Sequence, residues 1–91
     1  MKDVYTLLDL YGIPRKSKGY QLVARAVADT VRDPTTAYHI MKWQRTVAKE
    51  IKETAYNIDR CMRYAVSKAN KKFTLCEFII ECSIELQKEK R

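Results

Sequence analysis

Apolar residues recur along most of this chain at spacings of three and four, the periodicity of helices that bury one face. The pattern predicts a short helix from Asp3 to Tyr11, which Gly12 is suited to cap and Pro14 prevents from continuing. It predicts a second helix from about Tyr20 to Arg32 and a short third helix over residues 35–42. No segment alternates like a strand beyond a few residues. We therefore expect an all-α domain of five to six helices.

The stretch from Ala48 to Val66 has the pattern of a helix-turn-helix, which we predict over about residues 43–70. Residues 52–54 break the helical pattern, and the Thr54 hydroxyl is placed to accept from the free N–H groups of the next helix. That helix has an apolar stripe and a polar outer face, the stripe formed by Ile58, Cys61 and Ala65 and the outer face by Asn57, Arg60, Arg63 and Tyr64. Such a helix fits the DNA major groove, although ordinary helical bundles contain similar pairs.

The last helix has the clearest start signal in the sequence. Thr74 and Glu77 have the spacing of a capping box, in which each side chain bonds the backbone N–H of the other residue. Phe73 and Phe78 flank this box at the spacing of a hydrophobic staple. These features predict a helix that begins just after Thr74.

A second apolar stripe on the same helix consists of Ile80 and Ile84. Two explanations are equally consistent with it. The stripe forms a contact in an oligomer, or it is buried under the first helix of the same molecule.

With 91 residues, the chain is long enough for one domain with a small helical core, which we assign to residues 1–91. It lacks the run of ~18 apolar residues that a membrane-spanning helix needs. Asp3 and Asp9 interrupt the apolar N-terminus, which is therefore not a signal peptide, and we expect a cytoplasmic protein. The cysteines fall on apolar helical positions and are expected to be reduced core thiols: Cys61, Cys76 and Cys82.

Nothing in the sequence indicates a catalytic or metal site. The two glycines, Gly12 and Gly19, are spaced wrongly for a phosphate-binding loop. The single histidine, His39, lies beside Ile40 and Met41 and is expected to pack rather than to bind a metal. No C-x-x-C pair is present. We therefore predict neither an enzyme nor a bound cofactor or metal.

The distribution of charge favours the DNA-binding interpretation of the helix-turn-helix. The net charge is +7, and residues 42–72 contribute +6 of it through nine basic and three acidic side chains. The positive charge therefore coincides with the predicted motif, as expected for a segment that faces a phosphate backbone. A solvated lysine-rich surface is the alternative.

Three runs of residues, taken in order, resemble the C-terminal effector domain of the stage-zero sporulation protein A, the phosphorylation-dependent regulator of endospore formation. They are YGIPRKSKGYQLVARAV, ETAYNIDRCMRYAV and FTLCEFI. The family pattern has Gly-[Val/Ile]-Pro after a short helix, Lys-Gly-Tyr opening a long helix, Thr-Ala…Arg-x-x-Arg in the recognition helix and Ser/Thr-x-x-Glu-Phe-Ile opening the last one. The matching segments are Gly12–Pro14, Lys18–Tyr20, Thr54–Arg63 and Thr74–Ile79.

The resemblance implies a helical domain whose recognition helix enters the major groove and reads bases with polar residues of its first turns. Carried over by position, the base-reading residues are Asn57, Asp59 and Arg60. Arg60 matches the family in type, Asp59 shortens the family's Glu, and Asn57 replaces a longer basic residue. In chemical terms, Arg60 suits guanine, Asn57 suits adenine, and Asp59 suits the amino group of cytosine.

Two departures from the family pattern limit the resemblance. The phosphate-receiving domain that precedes this domain in the family has no counterpart here, and Met1 with no obvious linker favours a stand-alone relative over a fragment. Between the recognition helix and the last helix the family has a longer insert, whereas only residues 68–72 fill that gap here. The family dimerises head-to-tail on DNA through this end of the domain. Because the gap is shorter here, a homodimer on DNA stays an open alternative.

The resulting hypothesis is a sequence-specific regulator of transcription that binds double-stranded DNA. Tyr56 is a further candidate for a base or sugar contact, unless it packs on its neighbours. The candidates for phosphate contacts are Lys49, Lys52, Arg63, Lys68, Lys71, Lys72, Arg15, Lys16 and Lys18. Two rival hypotheses are a protein-interaction module that modulates a regulator, a sigma factor or RNA polymerase, and a phage or mobile-element regulator.

Overall fold

The computed structural model of the protein describes residues 3–89, and within that range it confirms an all-α fold of six helices. The helices are α1 (Val4–Leu10), α2 (Lys18–Arg32), α3 (Thr35–Tyr38), α4 (Ile40–Ile51), α5 (Ala55–Ser67) and α6 (Leu75–Glu89). Helix α2 lies at the centre, packed most extensively against α5 and α6 and also in contact with α1 and α3. The predicted helix-turn-helix corresponds to α4 and α5.

The contact between α2 and α5 brings the two backbones together at Gly19. A Cβ atom added to Gly19 would lie 2.0 Å from the carbonyl oxygen of Cys61 and 2.9 Å from the Cβ of Ala65. Any side chain at this position would therefore push α5 away from α2. Periodicity predicted a helix from about Tyr20, whereas α2 begins at Lys18 and includes Gly19 in its first turn, as the family resemblance implied.

Helix α1 ends in the glycine cap that the sequence predicted. Gly12 has a φ of +84°, and its N–H donates to the carbonyl of Asp9. The N–H of Ile13 donates to the carbonyl of Leu8, and both side chains are buried. These two bonds form a Schellman motif. The cap turns the chain back toward α2.

The boundary between α3 and α4 differs from the predicted short helix over residues 35–42. Helix α3 ends at Tyr38, His39 has non-helical backbone angles (φ −120°, ψ 42°), and α4 begins at Ile40 rather than near Trp43. The predicted packing role of His39 is wrong, because the residue is exposed where the chain leaves one helix for the next. Three residues of the predicted short helix therefore belong to the first helix of the helix-turn-helix.

Two polar contacts attach α4 to the central helix. The indole N–H of Trp43 donates to Asp29 Oδ2 at 2.8 Å, and an ion pair joins Arg25 Nη2 to Glu50 Oε2 at 2.5 Å. Val47, on the buried face of α4, belongs to the core. The helix-turn-helix is therefore held on α2 through both of its helices.

The start of α6 confirms the capping box and the hydrophobic staple. The N–H of Glu77 donates to Thr74 Oγ1 at 3.2 Å, and the N–H of Thr74 donates to Glu77 Oε1 at 2.9 Å. The rings of Phe73 and Phe78 meet edge to face with centroids 5.4 Å apart, and Tyr11 contacts both rings. This aromatic cluster ties the start of α6 to the end of α1.

The second apolar stripe of α6 divides between the core and the surface. Ile80 is half-buried and packs against the core, whereas the exposed fraction of Ile84 is 42%. Packing within one molecule therefore accounts for Ile80 but leaves Ile84 uncovered. An oligomer contact through these two residues stays a prediction.

The three cysteines are free thiols, but they do not share one environment. Cys82 is completely buried on α6, and burial raises its pKa to about 12. Cys61 and Cys76 are only half-buried. The expectation of a core thiol is therefore confirmed for Cys82, whereas Cys76 is half-buried and packs against the core from its edge, and Cys61 lies at the border of the buried face of α5.

Candidate nucleic-acid interface

The turn between α4 and α5 is closed by backbone hydrogen bonds and by a side-chain cap. Lys52 adopts the left-handed conformation (φ 56°, ψ 46°), and the N–H groups of Lys52 and Glu53 both donate to the carbonyl of Ala48. Thr54 then caps α5, as predicted, with its hydroxyl oxygen accepting from the N–H of Asn57 at 3.1 Å. The turn is thus short and fixed at both ends, so that α5 has a defined direction relative to α4.

Helix α5 has one buried face and one exposed face. Ile58, Met62, Ala65 and Val66 are buried, and Cys61 lies at the border. The opposite face exposes the four polar residues that the sequence placed there: Asn57, Arg60, Arg63 and Tyr64. The outer face of α5 is therefore free to contact a partner.

Cations and aromatic rings alternate along this outer face at intervals of four residues. The guanidinium carbon of Arg60 lies 5.8 Å from the ring centroid of Tyr56, and Lys68 Nζ lies 4.9 Å from that of Tyr64. Both rings are well exposed, Tyr56 at 69% and Tyr64 at 58%. Within residues 3–89, Arg60 has no ion pair with a carboxylate, so its charge is available to a partner.

Asn57 is engaged at the start of the helix. Its Nδ2 donates to Glu53 Oε1 at 2.9 Å, and the same oxygen accepts from the N–H of Thr54. These bonds, led by the one from Asn57, lower the pKa of Glu53. Because one amide N–H is used in this way, the second N–H and the carbonyl oxygen of Asn57 are the groups left for a base.

Asp59 differs from its neighbours in being half-buried between two donors. Its Oδ1 accepts from Gln44 Nε2 at 3.0 Å, and its Oδ2 accepts from Arg63 Nε at 2.8 Å. Gln44 belongs to α4 and is only 3% exposed. Sequence reasoning missed Gln44, although it is a polar residue within the apolar stripe of α4, four residues after Ile40 and three before Val47.

An open groove runs between the start of α2 and the outer face of α5. Lys18 lines it from α2, and Asn57, Arg60 and Arg63 line it from α5. Glu53 lines it from the turn and is the acidic residue in this lining. The structure thus brings Lys18, one of the predicted phosphate contacts, beside the predicted recognition helix.

A second basic surface lies on α4. Lys42, Arg45 and Lys49 line a shallow groove with Ala55, the first residue of α5. Only Lys49 of these three was among the predicted phosphate contacts. The spacing of the three residues, three and then four along a helix, is the sequence signal that identifies the other two.

The remaining basic candidates do not gather at one place. Arg15 is bound to Asp9, with Nε 3.1 Å from both carboxylate oxygens and Nη2 2.5 Å from Oδ2, and this bond lowers the pKa of Asp9. Its charge is therefore largely neutralised within the molecule. The other candidates are exposed on separate segments, namely Lys16 before α2, Lys52 in the turn, and Lys68, Lys71 and Lys72 after α5.

Among the helices within residues 3–89, none is both long and apolar enough to cross a membrane. A comparison with curated proteins finds no match. A comparison with family models matches residues 4–91 to the family described as "Sporulation initiation factor Spo0A C terminal". The match covers nearly the whole chain and agrees with the helical fold and the helix-turn-helix described above. The chain therefore belongs to the family of C-terminal, DNA-binding effector domains of the sporulation initiation factor Spo0A.

Proposed function

We propose that this protein is a sequence-specific, DNA-binding regulator of transcription that acts in the cytoplasm and places α5 in the major groove of double-stranded DNA. The observation that carries the proposal is the outer face of α5. There Arg60 is exposed and unpaired within residues 3–89, while Lys18 on one side and the basic surface of α4 on the other provide positive charge. This is the arrangement that a helix needs to read bases while its flanks bind phosphates.

The base contacts are assigned to the first turns of α5. Arg60 is the residue for a bidentate contact with guanine, and Asn57 is the residue for adenine. Both carboxylate oxygens of Asp59 already accept one hydrogen bond, from Gln44 and from Arg63. The predicted contact with cytosine therefore uses a second lone pair on one of these oxygens. Tyr56, exposed beside Arg60, is placed for a base or sugar contact.

The phosphate contacts are assigned to two surfaces beside α5. One consists of Lys18 and Arg63, and the other of Lys42, Arg45 and Lys49. Lys16, Lys52, Lys68, Lys71 and Lys72 are further contacts if the DNA extends along both ends of α5. Arg15 is the weakest candidate, because binding to a phosphate would require it to leave Asp9.

The first experiment is selection and sequencing of a random DNA pool with the purified chain at moderate salt. Enrichment of a short motif supports sequence-specific recognition. If the folded protein enriches no motif, the proposal fails.

Substitution of Arg60 tests which residue reads the bases. Arg60→Ala should weaken binding to the selected motif by about 1–3 kcal/mol and change binding to random DNA much less, because a base contact is lost. Lys71→Ala, the matched control, should weaken binding to both DNAs alike. Affinities for both DNAs are measured by fluorescence anisotropy at one salt concentration. Equal losses on both DNAs from Arg60→Ala would contradict its base-reading role.

A second candidate function is a protein-interaction module, and the exposed Ile84 on α6 favours it. The partner would be a second copy of this chain, RNA polymerase or a sigma factor. Sedimentation of the wild-type chain and of Ile84→Lys, with and without DNA, separates these cases. Self-association that Ile84→Lys abolishes would support a homodimer through α6, whereas a monomer in both states would leave polymerase and sigma factor as partners to be tested by direct binding.

A further inference from the structure

Helix α4 packs on α5 through an apolar stripe that contains one polar residue. Ile40, Val47 and Ala48 are buried, and Gln44 among them is 3% exposed. A buried carboxamide destabilises a fold unless its polar groups find partners. The role of a glutamine at this position therefore depends on the group that it binds.

The partner of Gln44 lies on the recognition helix. Gln44 Nε2 donates to Asp59 Oδ1 at 3.0 Å and lies 3.7 Å from Met62 Sδ. The other oxygen of the same carboxylate accepts from Arg63 Nε at 2.8 Å. Two hydrogen bonds thus connect the interior of α4 to the outer face of α5, and a carboxylate acceptor makes both of them stronger than bonds between neutral groups.

The effect of this connection is to fix a side chain that would otherwise move. An exposed ion pair four residues apart on a helix is weak, because both side chains are free to rotate. Here the carboxylate is held from behind by a buried group, which leaves Arg63 with one fixed acceptor. Arg63 lines the groove beside Arg60 and Lys18, with its terminal nitrogens making no hydrogen bond to the described part of the chain.

We propose that Gln44 is a positioning residue for DNA recognition, which touches no DNA itself and acts through Asp59 to orient the Arg63 guanidinium on the outer face of α5. The inference rests on the proposed function of this face. Gln44 was not among the residues that the sequence singled out, and its role follows from the two bonds that meet at Asp59.

The test substitution is Gln44→Met, because methionine has the same unbranched length and no amide donor. Thr30→Val is the matched control, since it removes another buried hydrogen bond, from Thr30 Oγ1 to the carbonyl of Ala26, without touching α5. Both variants are first shown to be folded by thermal unfolding followed through the fluorescence of Trp43.

The first readout needs no DNA. The Nε–H resonance of Arg63, assigned by its loss in Arg63→Lys, should exchange slowly with water in the wild type and faster in Gln44→Met. In Thr30→Val it should behave as in the wild type. Equal exchange in wild type and Gln44→Met would overturn the proposal.

The second readout is affinity for the selected DNA motif. Gln44→Met should weaken binding to the motif and to random DNA alike, by about 3- to 10-fold, since a positioning bond of ordinary strength behind a phosphate contact is lost. In an Arg63→Ala background Gln44→Met should cause no further loss, because its effect passes through Arg63. Motif affinity equal to wild type in Gln44→Met, or additive losses in the double variant, would overturn the proposal.

The outcomes also separate this proposal from the proposed function. A wild-type chain that enriches no motif overturns the DNA-binding proposal and the DNA role of Gln44 with it. A wild-type chain that enriches a motif, combined with an unaffected Gln44→Met, overturns only the role of Gln44.

Discussion

Lys52 occupies a backbone conformation that glycine adopts more easily. Its φ is 56°, and within residues 3–89 no other residue except a glycine has a positive φ. A side chain in the left-handed region costs about 1 kcal/mol. The helix-turn-helix thus retains a cation in its turn, next to the face of α5, at the expense of some stability.

Lys52→Gly should therefore stabilise the fold by about 1 kcal/mol. If Lys52 binds a phosphate, the same substitution should weaken binding to all DNA sequences alike. Urea unfolding followed by Trp43 fluorescence measures the first effect, and binding to random DNA measures the second. Lys52→Asn is the control, because asparagine tolerates the same conformation and also lacks the charge. A loss of stability in Lys52→Gly would show that the lysine side chain stabilises the turn.

The exposed face of α5 was predictable at the level of single residues, but its internal contacts were not. Asn57, Arg60, Arg63 and Tyr64 follow from helical spacing alone. The link from Gln44 to Asp59 joins positions fifteen residues apart, and the pattern of one helix contains no information about which side chain of another helix it meets. The pairing of Arg15 with Asp9 was also missed, because Arg15 lies in the loop after α1, where helical periodicity does not place a side chain.

At the scale of the element, the backbones of α2 and α5 approach each other closely at Gly19. Gly19→Ala tests this close approach, because the substitution should lower the free energy of unfolding rather than raise it. At an unobstructed helical position this substitution would stabilise by up to about 1 kcal/mol. Here the new Cβ would lie 2.0 Å from the Cys61 carbonyl oxygen, so we expect a loss of at least about 2 kcal/mol, which is in the range of strongly destabilising single substitutions.

Denaturant unfolding of Gly19→Ala measures that loss. Ala24→Gly, on the same helix, is the comparison, because it removes a side chain from α2 without introducing a clash. A stability equal to or above that of the wild type in Gly19→Ala would contradict the close approach of α2 and α5.

The capping box of α6 gives a prediction for pH. Hydrogen bonding from the N–H of Thr74 lowers the pKa of Glu77 below its ordinary value of 4.5. A lowered folded pKa means that the stabilisation is complete above the unfolded value and is lost as the pH falls through the folded one. Glu77→Gln keeps an acceptor oxygen but does not titrate, so the stability difference between wild type and variant should shrink as the pH falls below about 4.5.

Urea unfolding at a series of pH values from about 6 to about 3 measures this difference. Glu81→Gln, which removes an exposed carboxylate from the same helix outside the cap, is the matched control variant. A difference between wild type and Glu77→Gln that is constant with pH would contradict the role of the carboxylate in the cap.

Element boundaries show where sequence patterns succeed and where they fail. The caps at Gly12, Thr54 and Thr74 were all identified correctly, because capping is local chemistry between residues a few positions apart. The break at His39 was missed, since Ile40 and Met41 made residues 35–42 read as one short helix. Burial of Ile40 but not of Met41 is decided by packing against the rest of the fold.

At the scale of the whole molecule, charge distribution sets the response to salt. The net charge is +7, and the cations nearest α5 occupy the start of α2, the face of α4 and the segment after α5. If about six phosphates are neutralised, the logarithm of the binding constant should fall against the logarithm of salt concentration with a slope near −5. Titrations on random DNA at several salt concentrations measure this slope.

Lys71→Ala should make that slope shallower by about 1 if Lys71 contacts a phosphate. Arg15→Ala should change it less, because Arg15 already pairs with Asp9. A slope near zero for the wild type would contradict the phosphate contacts as a group.

The six helices and their order were largely predictable because each has its own apolar stripe or cap. Their assembly around α2 was not, since nothing in the pattern of α2 shows which of its neighbours lies beside Gly19. The interface was also only partly predictable. The distribution of charge identified residues 42–72 as the DNA-binding segment, but it did not show that Lys18 and Arg60 line the same groove.

Because Cys82 is buried, its chemical reactivity can report how often the folded molecule opens. Thiols react with alkylating reagents and oxidants as thiolates, and this one is both buried and held protonated by a pKa of about 12. It can be modified only in molecules in which α6 has opened. With enough reagent for modification to outpace reclosing, the rate of Cys82 modification under native conditions therefore measures the rate of spontaneous opening, and hence the lifetime of the closed state, without denaturant.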